Sequence, residues 1–314
     1  MKIFKQFMLS SILLLIIAGL QAQDKTVQEL KNEANKEIKK NPNDTIPSLW
    51  KKGGLFNLNF NQAALSNWSA GGDKSSISLT ALLNVFAFYK KGKHSWDNTL
   101  DLTYGVVSTT SLGRRKMDDR IDAVSKYGYR VGKSWYISGL FNFRSQFAKG
   151  FAYAENKKVM TSDFLAPAYV LLSIGMDYKP NDNFSVFLSP ATARWVIVTD
   201  DSLSAAGAYG VDPGKKSKFE FGAFASINYK HKIGNNSLYQ TKLDLFSNYL
   251  HTPQNIDIYW TNLLAVKMSR ILSMSLSVDM IYDNDVKRVK KDGTAGGASA
   301  QIKEIFGIGL AIKF

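Results

Sequence analysis

From Leu55 onward, apolar and polar residues alternate with a period of two. The clearest stretch sets Trp96, Leu100, Leu102, Tyr104 and Val106 on one face against Asp97, Thr99, Asp101, Thr103 and Gly105 on the other. The next sets Ile121, Ala123, Tyr127 and Tyr129 against Arg120, Asp122, Lys126 and Arg130. In the one after, Trp135, Ile137, Phe141 and Phe143 oppose Ser138, Asn142, Arg144 and Gln146. Further strands are expected around 166–179, 184–199, 217–232, 237–250, 256–268 and 273–283. In the last, 301–314, Phe306, Ile308, Leu310, Ile312 and Phe314 alternate with Gly307, Gly309, Ala311 and Lys313. Successive strand side chains point to opposite faces, so each stretch is a two-faced strand. Pro190 interrupts 184–199 and, having no N–H to give a ladder, is expected at a bulge.

The connections alternate in length. Short ones fall at 90–94, 132–134, 179–183, 232–236 and 269–272. Longer ones fall near 63–75, 108–119, 148–165, 200–216 and 284–300, with a modest one at 251–255. Short turns at one end, long loops at the other and spanning stretches of roughly 10 residues are the marks of a transmembrane antiparallel β-barrel. The count comes to about 12 strands, an even number. A soluble barrel would alternate in the same way but bury its apolar face. Here the polar face carries full charges on most strands. Trp96, Tyr127, Tyr129, Trp135, Tyr178, Tyr229, Tyr239, Trp260 and Tyr282 gather toward strand ends, as interfacial girdles require.

The chain up to residue 50 reads differently. Lys2 and Lys5 precede an apolar run from Ile12 to Ile17 and the small residues Ala18, Gly19 and Ala22, the order of a signal peptide over 1–22. That run is short of the roughly 20 residues a spanning helix needs. Residues 23–50 are charged, with Val27, Leu30, Ala34 and Ile38 on one narrow helical face before Asn41-Pro42. They are expected to form a periplasmic helix and linker ahead of an outer-membrane barrel at 51–314. A Gram-negative cell envelope is implied.

The formal charge of +14 becomes +12 once Lys2 and Lys5 are removed. An exported basic chain meets phosphorylated lipid and lipopolysaccharide rather than nucleic acid. Hydrophobic residues make up 45% of the chain, and the mean hydropathy of −0.16 excludes a bundle of membrane helices. The absence of cysteine leaves no lipid-acylation site and no disulfides. The basic runs Arg114–Lys116, Lys215, Lys216 and Lys218, and Lys287, Arg288, Lys290 and Lys291 fall in predicted outer loops, where they could grip lipid phosphates or simply stay solvated.

Catalytic chemistry is thinly represented. His94 and His231 fall in short turns and His251 lies just past a strand, with no metal-like spacing, so no cofactor or metal is expected. Ser247, His251 and Asn248 could serve a lipid hydrolase, but 247 and 251 on a strand are over 10 Å apart at roughly 3.4 Å per residue. The inward face is richer. Asp97, Asp101, Arg120, Asp122, Lys126, Arg130, Arg144, Lys230, Lys242 and Asp244 are expected in the lumen, with Asp177, Lys179, Glu220, Asp257, Lys267 and Asp279 beside them. Interspersed signs allow pairing across the lumen, closing it or leaving a narrow selective pore. The aromatic end at Phe314, with Phe306, Ile308, Leu310 and Ile312 before it, resembles the signal by which the barrel-assembly machinery takes up its clients.

The phrase NFNQAALSNWSAGGDKSS at 59–76 contains Asn67, Trp68, Gly71 and Gly72 as an Asn-Trp-x-x-Gly-Gly motif, preceded by Trp50 and Gly53-Gly54. It resembles the opening of a family of uncharacterised outer-membrane proteins of Bacteroidota, catalogued as a domain of unknown function. The resemblance runs from about Trp50 to the end of the chain and implies a membrane barrel, with no activity and no catalytic residues. Trp68 is expected to pack against the lumen wall. The expected function is that of a non-enzymatic structural or accessory component of an envelope complex, reaching a protein partner through residues 23–48. A narrow solute channel is the alternative, and a lipid hydrolase the remote one.

Overall fold

The computed structural model describes residues 49–64, 75–154, 157–181, 183–269, 271–289 and 295–313. The signal sequence, the segment 23–48, the Asn67–Gly72 motif and Phe314 lie outside them. In chain order the strands are β1 (Trp50–Ala64), β2 (Ser75–Lys91), β3 (His94–Thr109), β4 (Gly113–Arg130), β5 (Trp135–Ser145), β6 (Gly150–Ala154), β7 (Lys157–Ser162), β8 (Ala168–Asn181) and β9 (Phe184–Ile197). They continue with β10 (Ser217–Ile233), β11 (Ser237–Asn248), β12 (Ile256–Lys267), β13 (Leu272–Tyr282), β14 (Lys287–Val289), β15 (Ala295–Ala298) and β16 (Gln301–Lys313). Twelve of them close an antiparallel barrel in the order β1-β16-β13-β12-β11-β10-β9-β8-β5-β4-β3-β2. The remaining pairs, β6–β7 and β14–β15, are ribbons within the long connections.

Among the described residues no helix covers the outer wall, and the alternation decides what faces outward. Ile137, Phe141, Leu172, Ile174, Leu188, Phe306 and Leu310 are all exposed, while their neighbours Ser138, Asn142, Ser173 and Ser189 are buried. An apolar exterior around a polar interior is the inverse of a soluble barrel and is the arrangement that lipid requires. Aromatic side chains rim both ends. Trp50, Tyr89, Trp96 and Tyr127 lie in register across β1 to β4 at the short-turn end. Trp50 packs at 5.2 Å from Tyr89, and Trp135 at 4.8 Å from Tyr178. Toward the long loops, Trp195 meets Phe219 at 5.2 Å and Phe221 meets Tyr249 at 6.2 Å.

Three features depart from the sequence expectation. The connection near 108–119 is only a turn at 110–112, because β3 and β4 run on as a polar ribbon in which lipid-type alternation has already ended. Arg114, Arg115 and Lys116 are therefore strand residues. Lys116 donates to Asp119 at 2.9 Å, to the Ala148 carbonyl at 2.6 Å and to Ser162 at 3.3 Å, while Arg115 lies 5.6 Å over the Tyr153 ring. Lys218 also leaves the loops, and it turns into the lumen between Glu220 and Asp285. Finally, the 197–217 connection holds a short helix, α1 (Asp201–Ala205), capped by the Asp200 carboxylate accepting from the Ser202 and Leu203 amides.

Pro190 sits where the register breaks on both flanks, between Leu188 and Ala191 against β8 and between Ser189 and Thr192 against β10. The bulge lets Ser189 and Thr192 both face inward. Ser189 Oγ donates to the Ile174 and Ala191 carbonyls, filling the gap left in the ladder. The neighbouring strands come close: a Cβ on Gly175 would sit 2.1 Å from the Leu188 carbonyl oxygen, and one on Gly222 1.9 Å from that of Ser247.

Candidate functional site: a lumen crossed by ion pairs

Inward side chains fill the barrel in layers. In the central layer, Arg144 on β5 donates to Asp122 on β4 at 3.2 Å and to Asp244 on β11, with its guanidinium stacked 4.2 Å over the Tyr259 ring on β12. Lys242 adds contacts of 3.3 Å to Asp244 and 3.9 Å to Asp122. Asn142 and Ser226 complete the two carboxylates, each donating at 2.6 Å. Arg120 reaches from β4 to Tyr259 Oη at 3.3 Å and to Asp279 on β13 at 3.6 Å. Lys303 on β16 joins Asp118 at 2.9 Å to Asp279 at 3.0 Å. Strands β4 and β12 stand six places apart in the ring of twelve, so the Arg120–Tyr259 contact spans opposite walls. Four cations (Arg120, Arg144, Lys242, Lys303) face four carboxylates (Asp118, Asp122, Asp244, Asp279), and Asp101 accepts from Asn84 at 2.5 Å. A layer in which every cation is taken up by carboxylates, wall to wall, offers no free cation along the lumen with which to select an ion. Its geometry is that of a brace.

A second layer lies toward the short turns. Lys126 pairs with Asp177 at 2.8 Å, and Lys179 with Asp97 at 2.6 Å and Asp177 at 3.2 Å. On the wall from β4 to β11, Leu140, Leu171, Phe187, Phe224 and Phe246 form an apolar cluster inside the barrel, with Val124 packed against it. Lys126 and Arg194 lie over two of its rings, Phe187 at 5.8 Å and Phe246 at 3.9 Å. Such packing excludes water from this side of the lumen.

The third layer, toward the long loops, is acidic. Arg194 pairs with Glu220 and, at 2.6 Å, with Asp257, and Lys218 bridges Glu220 at 3.0 Å and Asp285 at 2.5 Å. Asp283, just beyond β13, has its carboxyl pushed up to about 6 by burial and by the neighbouring Asp257 carboxylate. Above this layer, Ala166, Val198, Leu203 and Val211 form a small buried core, with Met160, Ala208 and Tyr209 packed against it. The Tyr209 hydroxyl donates to the Thr161 carbonyl, tying the β9–β10 connection to the β7 ribbon.

The expected lumen charges are placed as follows. Asp97, Asp101, Arg120, Asp122, Lys126, Arg144, Lys242 and Asp244 belong to the layers above. Arg130 lies at the short-turn rim, donating to the Gly92 carbonyl at 3.3 Å, and Lys230 is exposed near the end of β10. Arg194 and Lys303, two of the principal pairing cations, were not among the expected residues. A uniform strand through 184–199 puts Arg194 on the opposite face from Ser189, and the Pro190 bulge reverses that. Ser247 and His251 are not brought together: Ser247 Oγ donates to the Pro253 carbonyl at 2.6 Å, and His251 is exposed in the turn beyond. Among the described residues no cluster of His, Cys, Asp or Glu could hold a metal ion. Phe306, Ile308, Leu310 and Ile312 are exposed on the outer wall.

A closed barrel of twelve antiparallel strands, apolar without and charged within, defines an outer-membrane β-barrel protein. Residues 60–151, from the upper part of β1 to the start of β6, match the family model described as "Protein of unknown function (DUF3078)". No curated protein sequence matches the chain significantly. Among solved structures it is similar to the NanC porin, at 9% identity and a TM-score of 0.38, over 83% of this chain and 100% of that one. It is also similar to an outer membrane channel from Pseudomonas putida F1, at 12% identity and a TM-score of 0.37, over 87% and 98% of the two chains. A third is the outer membrane phospholipase A from Escherichia coli, at 10% identity and a TM-score of 0.35, over 87% and 94%.

Proposed function

We propose that this protein is a non-enzymatic outer-membrane barrel that serves as a structural or accessory component of an envelope assembly, with its lumen held shut. The observation that carries this is the central layer, where Arg120, Arg144, Lys242 and Lys303 are matched by four carboxylates from facing strands. An interior committed to cross-bracing stiffens the wall and leaves the surfaces to make contacts. Those surfaces are lipid on the outside, lipopolysaccharide at the exposed Lys215 and Lys216 of the β9–β10 connection, and a protein partner reached through residues 23–48. A channel would be better served by a surplus of one charge along an open path.

The test is purification of the tagged protein from native outer membrane in mild detergent. The expected result is a stoichiometric partner, lost when residues 23–48 are deleted while the barrel still migrates as a folded species. A barrel that emerges alone from both preparations would overturn the accessory role.

A further inference from the structure

The barrel wall is not equally sealed all round. β1 pairs with β2 over fifteen positions, Trp50 to Ala64, and β16 pairs with β13 over ten, Gln301 to Leu310. Between themselves, β1 and β16 pair over only five, Leu55–Asn59 against Gly309–Lys313. Continuing that register would set Phe60 against Ile308, Asn61 against Gly307 and Gln62 against Phe306, and none of these pairs forms. Among the described residues the seam therefore has two unpaired edges beyond Asn59, opening toward the long-loop end.

These edges lie at membrane depth. The side chains they turn outward include Phe60 and Phe306, each 53% exposed, and Ile302, 71% exposed, which only hydrocarbon would cover. Unpaired backbone is tolerated at that depth only where it is buried in protein or lines a wet recess. The inner side of the seam has the lining of such a recess. Asn57 and Asn59, on the paired stretch just beneath the opening, are each more than nine-tenths buried and turned inward. Asn57 Oδ1 and Asn59 Oδ1 are buried without a hydrogen-bond partner, although Asn57 Nδ2 donates to Ser273 Oγ at 3.0 Å. Orphaned buried oxygens of this kind call for a donor. The Asn59 side chain leans on bare backbone, since a Cβ on Gly307 would sit 2.9 Å from Asn59 Cγ. On the long-loop side of this recess Lys303, inward on the unpaired stretch of β16, is held by Asp118 and Asp279 of the central layer.

We propose that the unpaired part of the β1–β16 seam is a lateral port that admits the polar head of a lipid from the leaflet at the long-loop end. The acyl chains stay in the bilayer along Phe306 and Ile308. Because the waiting groups include two amide oxygens, the head must bring N–H or O–H donors, such as a primary ammonium, glycerol or sugar hydroxyls. A quaternary ammonium head has none.

The test uses the full exported chain in vesicles, with a benzophenone side chain replacing Asn61, the inward residue at the start of the port. In phosphatidylethanolamine/phosphatidylglycerol vesicles, irradiation is expected to give a lipid adduct, at least tenfold reduced in phosphatidylcholine. The same group at Ser275, inward on a fully paired strand, should give little. Because the chain has no cysteine, a Phe60→Cys/Ile308→Cys pair can close the seam, and its oxidation should abolish the adduct until it is reduced. Native mass spectrometry of the unmodified protein from mixed vesicles should show phosphatidylethanolamine retained over phosphatidylcholine. Equal labelling at 61 and 275, equal retention of the two lipids, no lipid adduct, or a protein adduct at 61 in native envelopes would each overturn the port.

Discussion

Replacing Arg144 with Met keeps the bulk of the side chain but removes the charge that joins β4 to β11. The side chains involved are well shielded: Arg144 is 20% exposed, Asp122 10% and Asp244 3%. After the change two buried carboxylates share one cation, Lys242, at 3.9 Å and 3.3 Å. Breaking a buried pair by removing one partner costs roughly 3–5 kcal/mol. Loss of the stack on Tyr259 adds on the order of 1–2 kcal/mol, partly offset by Met packing against the same ring. A net loss of about 4 kcal/mol is expected, close to a thousandfold in the folding equilibrium, since about 1.4 kcal/mol is tenfold. Urea titration of the protein refolded into short-chain lipid vesicles, followed by tryptophan fluorescence, would measure it. Adding Asp244→Asn should restore about half of the loss, because the second change removes one of the stranded charges. An Arg144→Met variant within about 0.5 kcal/mol of wild type, the range of ordinary surface substitutions, would show that the central layer does not brace the wall.

Three further outcomes follow from individual positions. Gly222→Val should fail to give a folded, heat-modifiable band, because even a Cβ there would come 1.9 Å from the Ser247 carbonyl oxygen, and wild-type-like folding would disprove that close approach. Asp283 has a folded-state pKa raised to about 6 from 3.8, so the folded protein holds this proton more tightly than the unfolded chain. The resulting stability is fully present below about pH 4 and lost as the pH rises through 6. Asp283→Asn should therefore be more stable than wild type at pH 7.5 and converge with it near pH 4, and a difference independent of pH would count against the raised value. Lys126→Met leaves Asp177 with Lys179 alone, at 3.2 Å, and should lower the urea midpoint without altering heat-modifiability, whereas an unchanged midpoint would deny the second layer a stabilising role.

The barrel is legible in the sequence because lipid imposes its own period. Each of β3, β4 and β5 shows its inward charges and outward apolar residues by alternation alone. Legibility fails where the period slips by one. The bulge at Pro190 moves Arg194 from the outer face to the lumen, and no local signal other than the proline announces it. Lys303 is not announced by the pattern either, because its outward neighbours Ile302 and Glu304 are one apolar and one charged, and the two faces of β16 become distinct only from Phe306 onward. The ribbon over 108–119 reads as a loop, since strand hydrogen bonding continues there without the alternation that lipid demands. Which carboxylate meets which cation was beyond reach, because those pairs lie up to 185 residues apart and depend on how the cylinder closes.

The central claim is that paired side chains shut the lumen, and planar-bilayer recording addresses it most directly. Purified wild-type protein, confirmed as folded by heat-modifiable migration, should insert without stable conductance steps in 1 M KCl, a salt concentration at which about 3 Å of screening leaves surface charge little influence. Reproducible, long-lived open-channel steps from the wild-type protein would contradict the account.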